Sequence, residues 1–477
     1  MRGSFVKSLV LILLLTGAAS PLAAQTSDVL PAGVRSVLDL RKVPDSSLSI
    51  YVGNLQSGDT SLAWNADEPR NPASVAKLLT TLVALDTLGP AYRWKTEVYA
   101  EGDVVDNTLN GDLLLKGYGD PFLVTERVWQ LSRLVRQAGI RDIDGDLVLD
   151  DSYFSVPYSD PAAFDREPLR AYNVPPNALL TNFKVVRYFF EPDPDSAAVR
   201  VRLDPALENL HIVNRLSQVD GRCYGYQRGI TITPNEHYNN FVLSGKFPNG
   251  CKFYVMDRTA LEHNAYTYGL FKSIWQESGG TLRGGWRNDI APKDLVPLVS
   301  FESQPLSDVI TMVNKHSNNV MARQLLYTLA AEELGAPGTE EGGRSVVEKW
   351  LADRKLDSEK LTLDNGAGLS REARMTAGQI AKLLRYAYSS PYMPEYLSSL
   401  SLSGMDGTLG RRFRNSALAG KAHIKTGSLD DVNAIAGYVQ SRSGNRFIVV
   451  AMQNYPEIHR GPGEEVQEAL LKWVYEK

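Results

Sequence analysis

Ser74 and Lys77 stand in the run Pro72-Ala73-Ser74-Val75-Ala76-Lys77, an S-x-x-K spacing that puts a hydroxyl and an amine on one face of a helix. A serine hydroxyl is a poor nucleophile until a base takes its proton. A lysine amine is such a base only when neutral, so its ordinary pKa of ~10.4 must be lowered by burial or by a neighbouring cation. A helix N-terminus disfavours extra positive charge and favours negative charge developing on the oxygen. Chance supplies S-x-x-K in many long chains, and the pair alone decides nothing.

Two further patterns follow in the chain. Ser317-Asn318-Asn319 interrupts a helical pattern with three polar residues. It reads either as a helix cap or polar turn, or as a second hydroxyl for proton transfer with an amide that orients a substrate backbone. Lys425-Thr426-Gly427-Ser428 lies on a strand-like segment. A strand can pair with an extended peptide, Lys425 offers a cation and Thr426 a hydroxyl donor to a carboxylate, and Gly427 permits close backbone approach. The order S-x-x-K, S-x-N, K-T-G belongs to serine enzymes that react with penicillin. Arg371 reads either as a ligand for a peptide carboxylate or as a surface ion-pair partner.

These residues need a frame. The segments from Leu48 to Leu55 and from Leu62 to Ala66 read as short strands, and Val75 to Leu85 as a buried helix with Pro72 at its start. Helical patterns return from Leu306 to Thr328, from Ser345 to Ala352, and from Thr376 to Tyr388 with Thr376 as N-cap. Strands from Asn433 to Gln440 and from Arg446 to Gln453 flank a Gly444-Asn445 turn, and a helix from about Glu464 to Tyr475 closes the chain. This pattern predicts an antiparallel sheet covered by helices. Between Trp94 and about Ile290 the texture shifts to short alternating segments. Helices are predicted there from Val128 to Ala138 and from Ala265 to Glu277, and Val199 to Tyr254 reads as wholly β. The expected class is α/β of the α+β type, with catalytic segments 25–92 and 295–477. An insert spans 93–186 and 258–294, and a β-rich domain at 187–257 is nested within it.

The chain of 477 residues is 43% hydrophobic and 22% charged, enough for a substantial core, with a net charge of −4 that gives no basic excess for nucleic acid. Arg2 and Lys7, an apolar run from Leu9 to Leu15, and small residues up to Ala24 have the layout of a cleaved signal peptide over 1–24, hence an exported, periplasmic-type location. A membrane anchor is the alternative, although the run is shorter than the ~20 residues needed to span a bilayer. Peripheral association with a membrane and the oligomeric state stay open. In an oxidising compartment Cys223 and Cys251 can bridge, the alternative being two buried thiols. No H-E-x-x-H, G-x-S-x-G or G-x-x-x-x-G-K pattern occurs, so no metal, nucleotide or other cofactor is expected. His316 and His423, beside the motifs, read as structural.

With these motifs the chain resembles the D-alanyl-D-alanine carboxypeptidase/endopeptidases of the class C low-molecular-mass penicillin-binding proteins, peptidase family S13. The likeness extends to Gly117-Tyr118-Gly119-Asp120-Pro121, Gly145 to Asp150, Asp364 to Arg371, and Gly404-Met405-Asp406-Gly407-Thr408-Leu409. The long separation of Ser74 from Ser317 also fits. The resemblance implies a penicillin-recognising, transpeptidase-like domain acting on peptidoglycan peptides, with β-lactams as covalent inhibitors. It assigns the acyl-enzyme to Ser74, the base to Lys77 and proton relay to Ser317. It gives substrate binding to Asn319, Lys425 and Thr426, and an oxyanion hole to the backbone N–H groups of Ser74 and Ser428. Two residues depart from the family's habit: Asn318 stands where Asp is frequent, and Ala367 where Ser is common. A β-lactamase and a wall-binding or β-lactam-sensing protein without turnover are the competing readings.

Overall fold

The computed structural model describes residues 29–225 and 229–477. The expected signal peptide lies outside the described residues.

Strands Ala422–Leu429, Val432–Gln440, Arg446–Asn454, Leu48–Asn54 and Thr60–Trp64 lie side by side, with the short strand Ser401–Leu402 on the outer edge of the first. All five pairings in this sheet are antiparallel. Successive strand side chains point to opposite faces, and here both faces are buried. Phe447, Val449 and Ala451 join a core with helices Ala32–Arg41 and Pro462–Tyr475, while Ile448, Val450 and Met452 face the helices that carry the site. The hydrophobic runs are therefore nearly unbroken, as two covered faces require. Helix Lys77–Leu88 is buried almost all round, in contact with Leu306–His316 and Asn319–Leu334.

Two expectations shift in this layer. The segment from Leu306 to Thr328 is not one helix: Ser317 adopts a left-handed conformation, φ 58°, and ends the first helix. Asn318 then accepts the N–H of Met321 at 3.0 Å and starts a second. The serine of S-x-x-K does not sit within a regular α-helix either. Ala73–Ala76 is a 3-10 turn that leads into the helix at Lys77. The Thr376 cap forms as expected, as a reciprocal capping box with Gln379.

The insert is built on a hairpin, Lys95–Val105 and Thr108–Gly117, turned by Asp106 and Asn107, both at positive φ as a tight hairpin demands. Short strands Asp142–Ile143 and Leu147–Asp150 add in parallel, and helices Thr125–Gln137 and His263–Glu277 pack beside them. Strand Val299–Glu302 also pairs with this hairpin, past the boundary expected at 294. Two three-stranded sheets follow from Val185 to Thr259, and Cys223 and Cys251 are joined there by a disulfide.

The insert meets the catalytic layer on helix Asn319–Leu334. Gln324 accepts the N–H of Asn177 at 3.0 Å and donates to Asn177 O at 3.0 Å. Phe154 packs on Tyr327 with ring centroids 5.4 Å apart. The element that begins at Asn319 thus also seats the insert.

Candidate active site

The turn that carries Ser74 is held from three sides. Asn71, 6% exposed, accepts the N–H of Ala73 at 2.8 Å and donates to Ser370 O at 2.8 Å. Ala73 has φ 45°, a conformation that costs a non-glycine residue energy and persists only where its surroundings enforce it. Gly368, φ 71°, and Gly427 press against the same turn. A Cβ at Gly368 would lie 1.9 Å from Ala73 O, and one at Gly427 would lie 2.6 Å from Pro72 O. The strand bearing Lys425 therefore runs directly beside the backbone of Ser74.

Lys77 is fully buried and reaches Ser74 Oγ at 2.9 Å. It also donates to Asn319 Oδ1 at 2.6 Å and to the carbonyl of Ala367. Burial first, and the charge of Lys425 second, hold its pKa well below the ordinary lysine value. A neutral amine has two N–H groups and one lone pair. Asn319 and Ala367 take the two hydrogens, which leaves the lone pair for the Ser74 hydroxyl. This arrangement is competent for general-base activation of an oxygen nucleophile. The position where the family often carries Ser supplies Lys77 only with a main-chain oxygen, so Ala367 loses nothing there.

Lys425, also fully buried, donates to Ser317 Oγ at 2.9 Å and to Thr426 O at 2.8 Å. Desolvation pulls its pKa down to about 7. Two hydroxyl–amine pairs thus stand together, Ser74 with Lys77 and Ser317 with Lys425, and Asn319 touches the first. A cleft of about 640 Å³ opens over them, lined by Ser74, Ser317, Asn319, Arg371 and Ser428 and closed on the insert side by Phe164, Tyr172 and Phe183. Thr426 is outside that lining, and its hydroxyl donates to Thr408 at 2.8 Å. Arg371 sits at the mouth, 3.4 Å from Asp430 and with its guanidinium 4.8 Å from the Phe164 ring centroid.

The sequence model of the D-Ala-D-Ala carboxypeptidase 3 (S13) family matches residues 31–477. The chain belongs to that family. It is a hydrolase of the D-Ala-D-Ala carboxypeptidase type, as the motif resemblance implied. A D-alanyl-D-alanine carboxypeptidase of Actinomadura sp. (strain R39) is 28% identical over 475 residues, covering 95% of this chain and 86% of the relative. Penicillin binding protein 4 of Haemophilus influenzae superposes with a TM-score of 0.79 at 20% identity, over 93% of this chain and 99% of that one, and shares the fold. A predatory endopeptidase of Bdellovibrio bacteriovorus gives a TM-score of 0.53 at 16% identity over 89% and 92%.

Several groups that shape the site of this S13 enzyme escape motif reading. The left-handed Ala73, the Ala367 carbonyl and the tight approach of Gly368 act through backbone, and the Asn71 side chain acts on backbone. The signal for Asn71 is Asn-Pro ahead of the motif, where an Asn side chain readily bonds the backbone two residues on. The aromatic wall from the insert carries no local signal, because only the fold brings Phe164, Tyr172 and Phe183 over Ser74.

Proposed function

We propose that this enzyme hydrolyses the terminal D-Ala-D-Ala bond of peptidoglycan stem peptides through an acyl-enzyme on Ser74. The observation that carries the reading is the fully buried Lys77 amine, within hydrogen-bond reach of Ser74 Oγ, Asn319 Oδ1 and Ala367 O, its pKa lowered by that burial. Ser74 Oγ attacks the penultimate D-Ala carbonyl carbon as its proton passes to Lys77 Nζ. The carbonyl oxygen takes up the charge between the backbone N–H groups of Ser74 and Ser428, often the largest single catalytic term. The C–N bond breaks as the leaving amine takes a proton through Ser317, replenished from Lys425. Water then attacks the ester, passing a proton through Ser317 back to Lys425, and the C–Oγ bond breaks as Ser74 Oγ takes back the proton held on Lys77, which restores both lysines. Asn319 orients the scissile amide, while Lys425 and Thr426 hold the terminal carboxylate.

β-Lactams enter the same first step as covalent inhibitors, because opening the ring amide likewise leaves an ester on Ser74, with the freed nitrogen still tethered to the acyl group. Endopeptidase action on cross-links is also proposed. The cleft is open and extends beneath the insert, and the endopeptidase named above shares the fold. We further propose an exported location. The basic, apolar and small-residue order of the N-terminus supports it, as does a disulfide, which persists in oxidising compartments.

Hydrolysis of a diacetylated Lys-D-Ala-D-Ala peptide, with D-alanine as the readout, tests the proposal. Ser74→Ala abolishes release, and labelled penicillin marks Ser74 with a long-lived adduct. Rapid clearance of penicillin without peptide turnover would instead favour a β-lactamase. Penicillin binding with no hydrolysis of either substrate would favour a sensor. Digestion of purified peptidoglycan, with free D-alanine compared against cleaved cross-links, separates the two peptidase activities.

A further inference from the structure

The hydroxyl of Thr426 does not end in the cleft. It donates to Thr408 Oγ1 at 2.8 Å. Thr408 Oγ1 lies 3.2 Å from Ser401 Oγ, and the Thr408 backbone N–H donates to that same oxygen at 3.2 Å. Ser401 donates to the carbonyl of Lys315 at 3.3 Å, two residues before Ser317. A chain of three hydroxyls thus runs from the K-T-G strand to the helix end that presents the second serine.

The loop that supplies Thr408 is anchored. Lys315 Nζ donates to Asp406 Oδ2 at 2.6 Å, and Asp406 Oδ1 accepts the N–H of Leu402 at 2.8 Å. Burial works against the Asp406 charge, yet Lys315 and the Leu402 N–H outweigh it and hold the carboxyl below its usual range. Gly407, φ 55°, lets the loop close in. A Cβ there would lie 2.3 Å from Ser401 Oγ and 2.7 Å from Lys315 O.

A hydroxyl carries one hydrogen and two lone pairs. While Thr426 donates to Thr408, it has no hydrogen for a carboxylate. The chain can reverse at one position. When a carboxylate accepts from Thr426, the Thr408 hydrogen turns from Ser401 to the Thr426 oxygen. Ser401 loses no necessary partner, because the Thr408 backbone N–H still donates to it. A hydroxyl that accepts while it donates is polarised and donates more strongly.

We propose that Thr408 is a positioning residue for carboxylate recognition, acting through Thr426 by this reversal and held in place by the Asp406–Lys315 pair. The inference rests on the proposed role of Lys425 and Thr426 as the carboxylate anchor.

The test compares second-order acylation by benzylpenicillin and by its methyl ester, read from the mass of the intact protein, in wild type, Thr408→Val and Thr408→Ser. Thr408→Val slows the acid about tenfold, as for a lost hydrogen bond to a charged group, and leaves the ester unchanged. Thr408→Ser restores the acid rate. The same split appears as a raised KM, with kcat held, on the diacetylated tripeptide. Equal slowing of acid and ester, or an acid rate that Thr408→Val leaves intact, overturns the proposal. A wild-type protein that takes no acyl group from benzylpenicillin overturns the reading beneath it as well.

Discussion

Asn71 accepts the backbone N–H of Ala73 at 2.8 Å, and so fixes the residue before Ser74 in a left-handed conformation. The same side chain donates to Ser370 O, while its own N–H and C=O are bound by Asn454 at 2.8 and 3.2 Å. These hydrogen bonds converge on one buried residue to hold a strained turn. Asn71→Ala leaves the Ala73 N–H unpaired, at a cost of about 1–3 kcal/mol. It also frees Ala73 to relax, which moves Ser74 off the Lys77 lone pair. The expected result is a lower unfolding midpoint together with penicillin acylation slowed at least tenfold. Unchanged acylation in a destabilised variant would show that the latch serves only the fold.

The proposed role of Lys425 as carboxylate anchor predicts an alkaline limb in the pH profile. Lys425 must be charged to attract a carboxylate, and burial has brought its pKa from the ordinary lysine range down to about 7. As pH rises through that value, the free enzyme loses the charge. kcat/KM for peptide acids should therefore decline above pH 7, approaching tenfold per unit. Lys77 is lowered as well, but it must be neutral to act, so rising pH helps it. The decline is thus assigned to Lys425 alone. Lys425→Arg keeps its charge throughout this range and should flatten the alkaline limb at a reduced plateau. A limb that persists unchanged in Lys425→Arg would remove Lys425 from the assignment.

The contrast between Lys77 and Ala73 shows what a sequence carries. Ser74, Lys77, Ser317, Asn319 and Lys425 were legible because their chemistry lies in side chains at fixed short spacings. The sheet strands were legible because both faces are buried and their apolar runs stand out. The split at Ser317 was half visible: three polar residues marked a break, but nothing local required Ser317 itself to turn left-handed. Ala73, Ala367 and Gly368 contribute a φ angle, a carbonyl and an empty space, and none of these is a property of residue type. Thr408 reaches Thr426 only because Ser401–Leu402 pairs with the Lys425 strand.

The Cys223–Cys251 bridge lies in the β-rich part of the insert, away from the residues lining the cleft. Cys251 is completely buried, in a core that includes Phe241 and Phe247. A bridge closing a loop of this length stabilises a domain by about 3 kcal/mol, chiefly by restricting the unfolded chain. Replacing both cysteines with alanine should lower the unfolding free energy by about that amount and make the insert more sensitive to protease. Penicillin acylation of the folded protein should be unaffected. An acylation rate that falls with the bridge would mean that the β-rich part reaches the site through the insert.

Arg371 stands where the cleft meets solvent, nearly half exposed, with Asp430 at 3.4 Å and the Phe164 ring beneath its guanidinium. An ion pair that exposed and that long contributes little to stability, so the residue is held without being committed. Its guanidinium donates to Asp430 O at 3.3 Å and to Asp430 Oδ2 at 3.4 Å, which leaves three of its five N–H groups for a carboxylate entering the cleft, and binding a planar carboxylate suits the guanidinium fork. The part of a stem peptide that would reach it is not the terminal carboxylate, which the proposed mechanism gives to Lys425, but a side-chain carboxylate further up the peptide. Penicillin has no such group. Arg371→Ala should therefore lower kcat/KM about tenfold for stem peptides with a charged side chain at the third position. It should leave penicillin acylation and the melting temperature unchanged. Arg371→Lys should recover only part of the loss, because a point charge replaces the fork. Equal losses on peptide and penicillin would instead make Arg371 a prop for the cleft wall, acting through Phe164 and Asp430.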